Sequence, residues 1–69
     1  MPSTAVRDIE YDPTSETLWV TFVPTAKRYA YRFVPLSVYE EFIHAFSKGT
    51  FFNRFIRDQY DYAEVSSEK

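Results

Sequence analysis

The chain has 69 residues, no cysteine, one histidine and a formal net charge of −2. That is one domain at most, with neither a disulfide nor a cysteine-held metal to brace it, and a chain of this size buries only about 60% of its unfolded surface. The mild negative charge argues against bulk nucleic-acid affinity, and no apolar run approaches the ~20 residues of a membrane span.

The compensation is aromatic. One Trp, six Tyr and seven Phe make up 20% of the residues, and each ring can bury roughly 150–250 Å². A hydrophobic share of 45% against 26% charged is too apolar for disorder. The start, MPSTAVRDIEYD, lacks the apolar core of a signal peptide, so a cytoplasmic, membrane-free protein is expected. The domain is expected over residues 5–65, with a flexible N-terminus at 1–4 and a frayed tail at 66–69.

In chain order, residues 5–11 (AVRDIEY) alternate as a half-buried strand with Ile9 and Tyr11 on one face. Asp12-Pro13-Thr14-Ser15-Glu16 has the chemistry of a turn. Residues 17–23 (TLWVTFV) form a second strand, Leu18, Val20 and Phe22 facing one way. Residues 28–34 (RYAYRFV) form a third, with Tyr29, Tyr31 and Phe33 on one face. Matching faces across a tight turn at 24–27 sets Val20 opposite Tyr31 and Phe22 opposite Tyr29; the first turn sets Ile9 opposite Val20 and Tyr11 opposite Leu18. Glu10, Trp19 and Arg32 then form a row on the other face. Arg7 falls on the apolar face and needs an edge or a bulge to escape it.

Pro35 ends the third strand. Ser37 with Glu40 reads as a capping box. Val38, Tyr39, Phe42, Ile43 and Phe46 make the apolar stripe of a helix. Gly49, the only glycine, sits where a left-handed stop belongs. Thr50 then caps a second short helix that buries Phe52, Phe55 and Ile56 and presents Asn53, Arg54 and Arg57. Residues 61–65 (DYAEV) can add a short edge strand. The expected fold class is α+β: a three-stranded antiparallel meander with two short helices on one face.

The chemistry is sparse. His44 is flanked by Glu40, Glu41 and Lys48 on a helix surface and has no partners for a metal site. No nucleophile elbow, phosphate loop or metalloprotease motif occurs, so no catalytic residue, metal or cofactor is expected. Tyr29 and Tyr31 could stack bases, but sharing a face with Phe33 places them in the core. Trp19, beside Arg32, is the better exposed ring. Six of the eight basic residues (Lys27, Arg28, Arg32, Lys48, Arg54 and Arg57) fall in 27–34 or 47–57, which contain no acid, so an acidic average hides a local basic patch. The plainer reading is that Lys48 and Arg57 end helices, where cations suit the macrodipole.

The order of these segments resembles the KTSC domain family. The likeness rests on IEYD and LWVTF (9–12, 18–22), YAY (29–31), VP and VYEEF (34–35, 38–42) and SKGTFFNRFIRDQY (47–60). The family takes its name from the C-terminus of some lysyl-tRNA synthetases and also occurs as a stand-alone bacterial protein. The resemblance implies structural roles for Tyr29, Tyr31, Ser47, Gly49, Phe52, Ile56 and Tyr60, and marks Asn53 and Arg57 as the polar motif positions. It also implies an unknown function with RNA binding suggested by the synthetase attachment. Here the segment after Ile56-Arg57 carries Asp58 and Asp61, where the family is often basic.

Two functions compete. One is a small non-enzymatic RNA-binding module that uses Lys48, Asn53, Arg54 and Arg57, with Trp19 and Arg32 as a further contact. The other is a protein-interaction domain that offers the same surface to an acidic segment, Arg57 pairing with carboxylates. A monomer is expected in either case.

Overall fold

Strand alternation and two short turns build one antiparallel sheet of order β1-β2-β3-β4 in the computed structural model, which describes residues 5–23 and 26–65. The strands are β1 (Ala5–Asp12), β2 (Thr17–Val23), β3 (Arg28–Tyr31) and β4 (Tyr62–Val65), and the helices α1 (Leu36–Ile43) and α2 (Lys48–Phe55) lie between β3 and β4. The C-terminal edge strand forms and makes the sheet four-stranded. The expected tails at 1–4 and 66–69, and half of the turn at 24–27, lie outside the described residues.

The first hairpin is as its turn requires. Asp12 accepts from the Thr14 amide and the Ser15 hydroxyl, each at 3.0 Å. Ile9 faces Val20 and Tyr11 faces Leu18. A register shift between Val6 and Asp8 takes Arg7 out of the pairing, and its side chain is exposed beside Asp8. The bulge therefore keeps a guanidinium out of the core, where an unpaired charge would be costly.

The second hairpin differs from expectation by two residues. Val20 pairs with Tyr29 and Leu18 with Tyr31. A slip of two preserves which face each side chain takes, so the apolar pattern cannot prevent it. The expected Glu10–Trp19–Arg32 row is corrected in consequence: Ala30 lies beside Trp19, while Arg28 pairs with Glu10 and stands 5.5 Å over the Trp19 ring.

Strand β3 ends at Tyr31, three residues early. Phe33 adopts φ 60° and is exposed, so it is not a face-mate of Tyr31. That turn drops Val34 into the core at 0% exposure. Its amide donates to Glu16 O, and its carbonyl accepts from the Tyr11 hydroxyl at 2.6 Å. Val34 is thus tied to both sides of the first hairpin and closes the end of the core that lies over it.

Helix α1 has Pro35 at its N-cap, and no side-chain cap forms, so Ser37 and Glu40 make no capping box. It stops at Ile43, before the stripe reaches Phe46, which is wholly exposed rather than buried. The end of α1 is closed without a glycine: His44 Nδ1 meets Glu40 O at 2.8 Å, and Lys48 Nζ donates to Ala45 O at 3.1 Å. Gly49 is instead the second residue of α2, and no glycine has positive φ among the described residues. The cap of α2 is Ser47 and not Thr50; the Ser47 hydroxyl accepts from the Thr50 amide at 3.3 Å. Phe52 and Ile56 are buried as expected, but Phe55 is half exposed and Phe51 packs against the core in its place.

The core joins Leu18, Val20, Tyr31, Val34, Phe42, Phe52 and Ile56. Phe52 is its meeting point, with ring centroids 4.9 Å from Phe22, 5.4 Å from Tyr31 and 6.4 Å from Phe42.

Because Gly49 lies in helical backbone, replacing it should help rather than harm. Gly49→Ala is expected to stabilise the domain by about 0.5–1 kcal/mol, read as a higher urea midpoint at unchanged m-value. A lower midpoint would mean that the helix packs too closely here to admit a Cβ.

Candidate functional site

Three strands and the end of α2 meet around one concave site. Phe22 and Val23 come from β2, Tyr29 and Tyr31 from β3, and Tyr62 from β4; Phe52, Arg57 and Asp58 come from α2 and the turn after it. The space is about 410 Å³, inside the range of about 300–1,000 Å³ usual for small-ligand sites. Its position follows from local rules. Strand alternation puts Tyr29, Tyr31 and Tyr62 on the helix-bearing face, because β4 pairs Tyr62 with Tyr31. The Arg57 amide reaches back to Phe52 O at 2.8 Å, and this closing turn fixes Arg57 at the helix end.

The rings are graded from core to solvent. Tyr31 is buried, Tyr29 is half-buried and Tyr62 is 58% exposed. Tyr62 stacks on Tyr31 with centroids 5.3 Å apart and planes 28° apart, and it meets Tyr29 edge-on at 5.8 Å. Tyr29 in turn meets Phe22 edge-on at 5.8 Å. A part-exposed ring is therefore held from below by two others.

Burial pushes the Tyr31 hydroxyl well above the ordinary tyrosine range; Tyr62, Tyr29 and Asp58 push the same way, and Arg57 pulls against them. Tyr31 is thus a neutral group across the physiological range, a donor or acceptor rather than a base. Arg57 belongs to neither of the ion pairs formed between described residues, Arg7–Asp8 and Arg28–Glu10. Its guanidinium has donors to offer to a carboxylate or phosphate. Asp58 beside it offers an acceptor.

The sequence-derived candidates do not form one patch. Arg57 enters the cleft with Tyr29, Tyr31 and Phe52. Lys48 is occupied at the end of α1. Arg54 borders a groove on the other side of α2, with Glu41, Phe51 and Phe55, and Asn53 is an exposed residue of α2. Trp19 and Arg32 line a separate concavity of about 510 Å³ with Ala30 and Phe33, on the sheet face away from the helices. Ser47 caps α2, Ile56 is core, and Tyr60 packs at the core's edge. Sequence reasoning missed Asp58 and Tyr62 as cleft residues. The available signal was the edge strand itself, since pairing it beside β3 brings a β4 tyrosine next to Tyr31.

The comparisons with known proteins agree with this fold. A family model for the KTSC domain matches residues 2–68. The chain is similar to the lysine–tRNA ligases of Nostoc sp. (39% identical over 61 residues) and Trichormus variabilis (36% over 61 residues). Each match takes in 88% of this chain and 11% of the ligase, so the chain spans about a tenth of these relatives' length. Among solved structures it is similar to a KTSC domain protein from Yersinia pestis, with TM-score 0.86 and 29% identity over 96% of this chain and 92% of that one.

The shifted tyrosine makes stability depend on alkaline pH. In the unfolded chain Tyr31 loses its proton near the ordinary value of 10.0, while the folded chain keeps it. The native state then binds more protons, so stability present at lower pH is lost as pH rises above about 10, by up to ~1.4 kcal/mol per pH unit for this group. Urea unfolding at neutral pH and above pH ~10 should show that fall, and Tyr31→Phe should flatten part of it. An equal slope in the variant would exclude Tyr31 as a source.

Proposed function

We propose that this chain, which belongs to the KTSC domain family, is a non-enzymatic module that binds single-stranded RNA weakly through the tyrosine cleft. The observation that carries the reading is the pairing of Arg57 with the stacked rings of Tyr62 and Tyr31 in one concavity. A ring with an exposed surface accepts any base, and stacking contributes about 1–3 kcal/mol per base. Arg57 supplies a phosphate contact. Asp58 can accept from the amino edge of a base, which gives base discrimination rather than affinity. A space of about 410 Å³ suits one nucleotide rather than a long strand. The named relatives are ligases for tRNA, which supports RNA as the partner class and the cytoplasm as the location.

The groups facing the cleft bind rather than catalyse. Tyr31 is pushed away from the neutral range in which a general base works, and His44 lies at the end of α1, not in the cleft. An acidic protein segment is the competing ligand, because a carboxylate could take the place of the phosphate on Arg57.

A single cationic contact predicts low affinity with shallow salt dependence. The log–log slope should be roughly −0.7, the value for one neutralised phosphate on a single strand. Anisotropy of a labelled single-stranded oligoribonucleotide, titrated at low and at physiological salt, measures it. Arg57→Ala should remove most of the slope, and Tyr62→Ala should weaken binding about tenfold or more by the loss of stacking, both with the fold retained. No binding at low salt, or binding indifferent to both changes, would eliminate RNA at this cleft. Binding of an acidic peptide in its place, lost with Arg57, would establish the competing ligand.

A further inference from the structure

The opposite side of α2 carries apolar surface that the cleft does not use. Phe46 is 106% exposed and Phe55 52%. A ladder of rings leads out from the core: Phe42 stacks on Phe51 at 5.6 Å, and Phe51 meets Phe55 at 4.8 Å. Two adjoining grooves run along this ladder. One is floored by Val38, Phe51, Phe55 and Tyr60 and the other by Ala45, Phe46, Phe51 and Phe55; Glu41 and Arg54 border both. None of these residues lines the tyrosine cleft.

A fully exposed phenyl at a bend between helices adds nothing to the stability of a lone chain, and a contiguous apolar patch of this kind marks an interaction surface. The two border charges bear on the occupant. Glu41 and Arg54 are opposite in sign, and neither takes part in the ion pairs Arg7–Asp8 and Arg28–Glu10. An acidic partner would satisfy Arg54 and repel Glu41, a basic partner would do the reverse, and RNA meets the same conflict. A surface with the same pattern rotated by a twofold satisfies both, because each Glu41 then faces the other chain's Arg54. Phe46 supplies a projecting ring, and the neighbouring groove, of about 410 Å³, supplies the recess for its counterpart.

We infer that the α1–α2 face is a self-association surface on which a second copy of this chain docks by a twofold, with Phe46 against the Phe51–Phe55 groove and Glu41 against Arg54. The proposal departs from the monomer expected from the sequence. A standard interface covers about 800 Å² per partner, about a sixth of the chain's 4876 Å² surface. An interface of standard size or smaller between two short-helix faces makes a reversible rather than an obligate dimer. Each dimer leaves both tyrosine clefts open, since the cleft and the docking face share no residue.

Sedimentation velocity over a wide concentration range tests it. The expected result is a concentration-dependent shift from monomer to dimer, and Phe46→Asp should raise the dissociation constant at least ~tenfold by placing a charge in the apolar contact. Because Phe46 is wholly exposed in its own chain, thermal melting of the variant at low concentration should be unchanged. Glu41→Arg and Arg54→Glu should each stay monomeric alone, and an equimolar mixture should dimerise, since the mixed pair restores both contacts. A monomer at every concentration overturns the proposal. So does a dimer indifferent to Phe46→Asp, or a mixture of the two charge variants that stays monomeric.

Discussion

One phenyl ring holds the two layers together. Phe52 is 4% exposed and meets Phe22 of β2, Tyr31 of β3 and Phe42 of α1. In a chain without cysteine, such contacts must do what a disulfide does in other small domains. Truncating a buried aromatic costs roughly 3–5 kcal/mol, against a total stability of about 5–15 kcal/mol for typical domains and less at this length. The position of α2 therefore depends on Phe52, and through α2 so does everything after it. Arg57 sits where it does because its amide closes on the Phe52 carbonyl. The floor of the cleft is the same ring that seals the core.

Much of the sheet is legible in the residues themselves. Strand β2 has its expected limits and the first hairpin its expected register, because the turn bonds to Asp12 fix the loop length that face matching alone leaves open. The need for Arg7 to escape pointed to the bulge. The second hairpin is less determined: a slip of two keeps every apolar residue inward, so only the turn geometry can set it. The local exception at Phe33, with positive φ, carries no sequence signal, and it decides that Val34 and not Phe33 enters the core. Gly49 misleads for a physical reason. A helix end can be closed by side-chain groups, as His44 and Lys48 do here, and then the glycine is free to lie inside the next helix.

The site is half legible. Arg57, Tyr29, Tyr31 and Phe52 stand out in the sequence, but only as separate motif positions with separate roles. Their convergence depends on β4 lying beside β3, which brings in Tyr62, and on the turn that brings in Asp58. The proximity of basic residues along the chain is a poor guide to their grouping in space. Arg54 and Arg57 are one helical turn apart in sequence yet border different concavities, because α2 ends between them. The molecule thus has two faces of different character: an aromatic cleft with one cation on one side of α2, and an apolar surface with balanced charges on the other.

In the proposed function, ligand meets this domain at the edge of the ring cluster, through Tyr62 and Arg57, and not through a diffuse basic patch or the Trp19 face. Chemical-shift mapping of aromatic and backbone resonances during titration with a short single-stranded oligoribonucleotide tests that most directly. Shifts are expected at Tyr62, Tyr29, Val23 and Arg57, with Trp19, Lys48 and Arg54 unmoved. Shifts centred on Trp19 and Arg32, or spread over Lys48 and Arg54 with the cleft silent, would contradict it.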